Sequence, residues 1–241
     1  MEDSVISGVM ELNNEAVDFL QQGRYRDASA SLRIAHERLK VLLELQNAMT
    51  HAPLAPKCSS EGHSHIPLDT VPVAEELMTS KAYQQSSTAL ENVFTFFNRG
   101  FLFRCKDGQI DFSSPKVQSQ IQATVLFNMA ISHHCEAIEK GNSKHLATAL
   151  HLYELSYSVL RNAWEGDSLE AVLLILMSVF CNMGFIASNV FDLERTRYCM
   201  EWLKSAISWK GSASLEGDVY FFFFKNLSFV PMREPVLAPA A

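Results

Sequence analysis

The sequence predicts an all-α protein, an α-solenoid built from antiparallel helical hairpins. Hydrophobic residues recur at steps of three and four along most of the chain. A helix, a short turn and a second helix follow one another in three places. A chain of 241 residues with 48% hydrophobic content can also bury a large core. A small β-hairpin near residues 93–113 is the one exception that these patterns predict.

The first predicted hairpin covers residues 1–49. Its first helix carries Asn14, Ala16 and Phe19, and Gly23 and Tyr25 mark the turn. The second helix has an apolar stripe with steps of four, three, four and three, formed by Ala28, Leu32, Ala35, Leu39 and Leu42. Because the facing residues Ala16 and Ala28 are small, the two helices can approach closely.

Two further hairpins are predicted within residues 123–210. The first of them has Asn128 and Ala130 in its first helix and Ala149 in its second, and the last has Asn182, Gly184 and Thr196 at the corresponding places. The facing small residues are 28 − 16 = 12 positions apart in the first hairpin and 196 − 184 = 12 in the last. In the middle hairpin they are 149 − 130 = 19 apart, so we expect the seven extra residues to lengthen its helices.

The three units together resemble the tetratricopeptide repeat. That family has a small residue in helix A, an aromatic residue three positions later, Gly and Tyr at the turn, and a small residue at the start of helix B. The resemblance covers Met10 to Leu42 and Ala123 to Ile207, and it departs from the family in having neither an early Trp nor a Pro after helix B. It implies stacked hairpins that bind a protein or peptide along the concave surface of the A helices.

Three asparagines occupy the same position in the three units and are the candidate partner-binding residues. Asn14, Asn128 and Asn182 each precede the small packing residue by two positions. A row of amides can pair with both the N–H and the C=O of an extended peptide. The alternative is that each amide bonds to the neighbouring hairpin. Other residues expected in the same groove are Asn13, Val17, Phe127, Ile131, His134, Cys181, Phe185 and Asn189.

The rest of the chain is predicted to connect and cover the hairpins. Residues 50–80 are rich in Pro, Ser and His and predict a flexible, exposed loop. Residues 81–122 form an aromatic-rich connection, in which the β-hairpin at 93–113 competes with a helix through Ser86 to Phe103. Residues 211–241 predict a capping helix followed by a tail.

Charge and cysteine content restrict the classes of partner and the compartment. A net charge of −7 without a run of basic residues argues against nucleic acid. Five cysteines without a C-x-x-C pair indicate a reducing compartment, the cytoplasm or the nucleus. The uncharged stretch Ala171 to Phe191 is long enough to cross a membrane, but its polar residues and the absence of flanking basic clusters favour a buried helix.

No catalytic, metal or cofactor site is predicted. Cys58, His63 and His65 lack a fourth ligand at a recognised spacing. His133, His134 and Cys135 are consecutive on a predicted helix, so their side chains diverge by about 100° per step and cannot converge on one ion. We therefore expect a protein-interaction module and not an enzyme. The alternatives are a subunit of a larger permanent complex and, third, an enzyme with a pocket inside a helical bundle. The sequence does not indicate an oligomeric state.

Overall fold

The computed structural model describes residues 2–50, 66–79, 94–104, 111–163, 170–210, 219 and 222–224. Most of these residues are helical, and the remainder include one two-stranded sheet. The prediction of a mostly helical protein is therefore confirmed.

The first hairpin consists of α1, Glu2–Gln21, and α2, Tyr25–Thr50. Its turn depends on Gly23, whose φ of 71° lies in the left-handed region that glycine adopts without strain. The two helices pack through the apolar stripes that the sequence predicts, and both Ala16 and Ala28 are fully buried. The charged residues between the stripes stay on the outer faces.

The middle hairpin consists of α4, Pro115–Lys140, and α5, Ser143–Ala163. Pro115 starts α4 where a missing N–H costs nothing, and Gly141 ends it with a φ of 61° while its N–H donates to the Ala137 C=O. At 26 residues α4 is longer than α1, which has 20, so the extra residues do lengthen this hairpin.

The last hairpin consists of α6, Glu170–Asn189, and α7, Leu193–Lys210. The Asp192 carboxylate caps α7 by accepting the Arg195 N–H at 3.0 Å. Within the described residues α6 is the one helix that is long and apolar enough to cross a membrane, but 78% of its most apolar window is buried inside the protein. The structure therefore places α6 in the core of the fold.

Two strands lie against the helices. β1 is Leu68–Pro72, β2 is Arg99–Phe103, and the two pair antiparallel with Leu68 opposite Phe103. A single helical turn, α3, follows β1 at Glu75–Met78. In an antiparallel pair, successive residues direct their backbone groups to opposite edges. The Arg104 N–H donates to Pro67 and the Asn98 C=O accepts from Val73, so the even-numbered residues of this stretch face β1.

The extended residues of this region correct three of the sequence predictions. The strand at 99–103 pairs with β1, and residues 111–113 form no strand, so the hairpin expected within 93–113 is wrong over the described residues. Residues 105–110 lie outside them. The competing helix through Ser86 to Phe103 is also wrong over residues 94–103, which are extended, while 86–93 lie outside the described residues. The loop expected at 50–80 contains β1 and α3 in its described part, because Ile66, Val73 and Leu77 are buried in the core.

The helices contact one another in a regular order. Besides the contacts within each hairpin, α2 contacts α4 and α5 contacts α6. The first helices of the three hairpins also contact one another in order, α1 with α4 and α4 with α6. β2 contacts both α1 and α4, so the sheet lies on the side of the first helices.

From the predicted C-terminal cap, residues 219 and 222–224 are helical, and the Phe223 ring stacks on Phe97 at 5.2 Å. The rest of 211–241 lies outside the described residues.

Candidate functional site

The three candidate asparagines all bind one extended stretch of this same chain, residues 94–104, which we call the inner segment. The Oδ1 of each asparagine accepts a hydrogen bond from the backbone N–H of a single phenylalanine, and its Nδ2 donates one to the backbone C=O of the same residue. For Asn14 and Phe103 the two distances are 2.9 and 3.0 Å. For Asn128 and Phe101 they are 3.0 and 2.8 Å, and for Asn182 and Phe97 they are 2.7 and 3.2 Å.

The local geometry of the inner segment explains this pairing. Because its even-numbered residues face β1, the N–H and C=O of Phe101 and Phe103 point to the opposite edge of β2, where none of the described residues forms a strand. The asparagine side chains from α1 and α4 occupy that edge. They replace the missing strand, so that buried backbone groups are not left unpaired.

Other side-chain amides extend the network. Asn13 donates to the Phe101 C=O at 2.9 Å, and its own Oδ1 accepts from Asn128 at 2.9 Å. Gln120, two turns before Asn128 on α4, binds the N–H and C=O of Ile66 at 2.8 and 2.6 Å. Sequence reasoning missed Gln120, although its spacing of eight residues from Asn128 places both on one helix face.

The alternative role for the asparagines, bonding to a neighbouring hairpin, is also present. Asn128 on α4 donates to Asn13 on α1, and Asn182 on α6 donates to the Tyr153 hydroxyl on α5 at 3.0 Å. Both bonds are buried and join consecutive hairpins. The amides of Asn128 and Asn182 therefore bind the inner segment and join the hairpins at the same time.

The inner segment covers most of the predicted groove residues. The His134 ring contacts Phe96 at 4.3 Å, Phe185 contacts Phe96 at 5.8 Å, and Phe127 contacts Phe101 at 4.9 Å between ring centroids. The Cys181 thiol donates to the Thr95 C=O at 3.1 Å. Ile131 is fully buried in the core, while Asn189 instead donates to the Phe185 C=O of its own helix.

Partner access to these positions therefore depends on the inner segment. Asn128, Asn182, His134 and Ile131 have no exposed surface, and Phe185 has 1%. A partner could reach them only after the inner segment has left. Their role in partner binding remains a prediction.

The titratable groups beneath the inner segment are held uncharged by burial. Desolvation lowers the pKa of His134 to about 3 and raises the pKa of the Tyr153 hydroxyl and of the Cys181 thiol well above their usual ranges. His134 Nδ1 lies 3.4 Å from the Tyr153 hydroxyl, while its Nε2 has no hydrogen-bond partner among the described residues. At neutral pH the buried groove is therefore neutral and largely apolar.

A second group of polar residues lies outside the groove, where α2, α4 and α5 meet. We call His133, Glu136 and His145 the His–Glu cluster. The Nδ1 atoms of the two histidines are 3.2 Å apart, and His145 Nδ1 is 3.5 Å from Glu136 Oε2. His134 and Cys135, next to His133 in sequence, point elsewhere into the core, as their spacing predicts.

Charged and polar neighbours surround the cluster. Burial alone would raise the pKa of Glu136, but hydrogen bonds from Lys140 and Arg26 outweigh it and lower that pKa, so the carboxylate is ionised. Desolvation, with a smaller effect of His145, lowers the pKa of His133. This cluster was not predicted from the sequence, although His133 and Glu136 have the i, i+3 spacing of one helix face and His145 follows shortly after the turn at Gly141.

Comparison with protein-family models, with curated proteins and with solved structures finds no match to this chain.

Proposed function

We propose that this chain is a protein-interaction module of tetratricopeptide type that holds an extended polypeptide along its first helices, and that it is not an enzyme. The observation that supports the proposal is the pairing of three asparagines, one from each hairpin, with the backbone N–H and C=O of one extended stretch. Such pairing recognises the backbone and not a particular side chain. Other extended segments of suitable shape are therefore candidate ligands.

The order of the helix contacts supports a solenoid arrangement. Each second helix contacts the first helix of the next hairpin, and the three first helices contact one another in sequence. This is the neighbour relation of stacked hairpins. In a tetratricopeptide array the first helices line the concave side, and the inner segment of this chain lies against the first helices.

The partner that fits is an extended, aromatic-rich segment. Phe97 packs among Phe127, Phe222 and Phe223 at centroid distances of 5.2 to 6.4 Å. At Gly100 an added Cβ would lie 3.1 to 3.3 Å from Val17 and Val73, so a small residue is needed there. We propose that a partner with this pattern replaces the inner segment. Because the inner segment is tethered, its effective concentration is of order mM, and the partner has to compete with that.

A labelled peptide with the sequence of residues 94–104, flanked by lysines for solubility, tests the proposal in the full chain. Phe101→Pro weakens the binding of the inner segment in the groove, because it removes the N–H whose hydrogen bond Asn128 accepts. It spares the pairing with β1, because that N–H points to the opposite edge of β2. We expect fluorescence anisotropy to give at least about tenfold tighter binding to Phe101→Pro than to wild type. Adding Asn182→Ala should weaken that binding about 5- to 100-fold through the loss of two hydrogen bonds.

The control peptide carries N-methyl groups on the amides that correspond to Phe97 and Phe101. It keeps every side chain but cannot donate those two hydrogen bonds. Equal binding of the methylated peptide, or no binding of either peptide to the Phe101→Pro chain, would refute backbone recognition in this groove.

A second candidate, the subunit of a permanent complex, is favoured by exposed apolar side chains. Along α2 the exposed fractions of Ile34, Val41 and Leu45 are 46, 53 and 58%. Where α6 ends and α7 begins, those of Phe191 and Leu193 are 62 and 73%. Light scattering on the purified chain distinguishes the two. An independent module should stay monomeric at micromolar concentration, whereas an orphan subunit should self-associate.

We place either activity in the cytosol or the nucleus. Cys135, Cys181 and Cys199 are unbridged and buried, as expected where thiols stay reduced.

A further inference from the structure

The His–Glu cluster brings three metal-ligand atoms together from two helices. His133 Nδ1 and Glu136 Oε2 come from α4, and His145 Nδ1 comes from the first turn of α5. One ligand atom from each of the three residues lies within 4.8 Å of the other two. Two imidazole nitrogens and one carboxylate oxygen form a ligand set that zinc sites use, with water in the fourth position.

The distances fit the edges of a zinc coordination tetrahedron. Bonds of about 2.0–2.1 Å place neighbouring ligand atoms about 3.3 Å apart. The two Nδ1 atoms are 3.2 Å apart, and the distance from His145 Nδ1 to Glu136 Oε2 is 3.5 Å. The His145 side chain is 29% exposed, so its ring has room to turn its Nδ1 lone pair towards an ion beside His133.

Outer contacts hold two of the ligands in place. Ser29 Oγ on α2 lies 3.3 Å from His133 Nε2, so the ring can donate its proton there and present Nδ1 as the acceptor. Glu136 Oε1 receives hydrogen bonds from Arg26, at 3.1 Å, and from Lys140. These bonds orient the carboxylate and leave Oε2 facing His145.

The charges around the cluster select the kind of cation. Arg26 and Lys140 offset the single carboxylate, so the site does not concentrate negative charge. Ca²⁺ and Mg²⁺ need several oxygen ligands and would bind poorly. Zinc and similar transition metals gain most of their affinity from the imidazoles.

We propose that the His–Glu cluster binds one Zn²⁺ ion through His133 Nδ1, His145 Nδ1 and Glu136 Oε2, with solvent as the fourth ligand. The ion joins α4 to α5 beside the turn at Gly141 and stabilises the middle hairpin. The site is separate from the groove, so it does not depend on the proposed peptide binding.

Titration of the chelator-treated full chain with Co²⁺ tests the site, because four-coordinate Co²⁺ absorbs visible light. We expect one equivalent of Co²⁺ to give this absorption, Zn²⁺ to abolish it, and Mg²⁺ or Ca²⁺ to leave it unchanged. His133→Ala and His145→Ala should each weaken binding more than about tenfold, since loss of an outer partner alone costs 10- to 100-fold. Zn²⁺ should also raise the melting temperature of wild type but not of these variants.

Two controls separate this site from other histidines. His151 is exposed on the same helix as His145, so His151→Ala should bind like wild type. The double change His63→Ala with His65→Ala tests the histidines of the segment after α2 in the same way. The proposal is overturned if Co²⁺ gives no four-coordinate spectrum, if His145→Ala and His145→Gln both bind as wild type does, or if the His63 and His65 changes abolish the spectrum.

Discussion

An asparagine side chain carries one N–H donor group and one carbonyl acceptor, as a peptide unit does, and it can therefore complete the edge of a strand. Asn128 does this for Phe101 in the middle of the protein. It is fully buried, and its amide makes three hydrogen bonds, two to Phe101 and one to Asn13. Asn128 therefore stabilises the fold, whether or not it also binds a partner.

Replacing Asn128 by Ala should lower the free energy of unfolding by about 3 kcal/mol. The Phe101 N–H and Asn13 Oδ1 would be left buried without a partner, each at a cost of roughly 1–3 kcal/mol, while the Phe101 C=O keeps its bond from Asn13. Urea unfolding measures the difference. Asn14→Ala is the matched control, and it should cost about 1 kcal/mol because that amide is only half-buried. Equal losses for the two variants would contradict this account.

His134 should make the protein less stable in mild acid. Its pKa is about 3 when folded and about 6.5 when unfolded, so below pH 6.5 the unfolded chain binds a proton that the folded chain does not. Stability should fall by up to about 1.4 kcal/mol per pH unit from pH 6.5 towards 3, and be unaffected by this group above pH 6.5. Urea unfolding at pH 7.5 and 5 measures the effect. The lowered pKa of His133 acts in the same direction.

The control for this prediction is His134→Phe, which keeps a ring beside Phe96 and Phe185 but cannot bind a proton. The loss of stability between pH 7.5 and 5 should be smaller by about 2 kcal/mol in this variant. An unchanged pH dependence would mean that His134 is protonated in the folded protein.

At the scale of elements, the inner segment fits closely against the first helices, and α6 shows this best. A Cβ on Gly184 would lie 2.5 to 2.7 Å from the Phe94 ring, closer than atoms can approach. The sequence marks Gly184 as a small residue for packing between helices. The structure shows that it also makes room for an aromatic side chain of the inner segment.

Gly184→Ala should therefore lower stability by about 1–3 kcal/mol, because either Phe94 or α6 has to move. Gly8→Ala is the matched control, since it is also a glycine inside a helix. Its Cβ would meet only Arg38 Nη1 at 3.6 Å, an ordinary contact, so that change should stabilise the protein by about 0.5–1 kcal/mol. Thermal unfolding of the two variants compares them. A stabilised Gly184→Ala protein would show that the inner segment packs differently.

The sheet marks the limit of what element-level patterns predict. Helical periodicity and polar or glycine-containing turns were sufficient to place the three hairpins, because those signals are local. The partner of β2 was missed because strand pairing depends on residues about 30 positions apart, and β1 lies in a stretch whose prolines and histidines indicate a loop. Pro72 is compatible with a strand here because β1 is at the edge of the sheet.

At the scale of the whole molecule, the inner segment bonds to all three hairpins. Asn14, Asn128 and Asn182 could be identified from sequence as one equivalent row, and so could their capacity to bind an extended backbone. That the backbone is the chain's own could not, because nothing in the pattern of a repeat specifies what fills its groove. Arrays of repeats often unfold from their ends. A segment that bonds to every hairpin opposes this.

We therefore expect the protein to unfold in one transition. Its three tryptophans, Trp164, Trp202 and Trp209, all lie in the C-terminal part of the chain, so fluorescence reports on that part while circular dichroism reports on all helices. The two urea curves should coincide for wild type. Asn182→Ala removes the two hydrogen bonds between Phe97 of the inner segment and α6, and its fluorescence transition should move to lower urea than its dichroism transition. Coinciding curves in this variant would argue against such coupling.

The position of the inner segment in the chain also constrains the order in which the protein can fold during synthesis. Phe103 can meet Asn14 as soon as it leaves the ribosome, since Asn14 precedes it by 89 residues. Phe97 has to wait for Asn182, which follows it by 85 residues. At 5–20 residues per second this delay is about 4 to 17 seconds. During that interval the backbone N–H and C=O of Phe97 lack their Asn182 partner, and a chaperone or a neighbouring nascent chain could bind this part of the inner segment first.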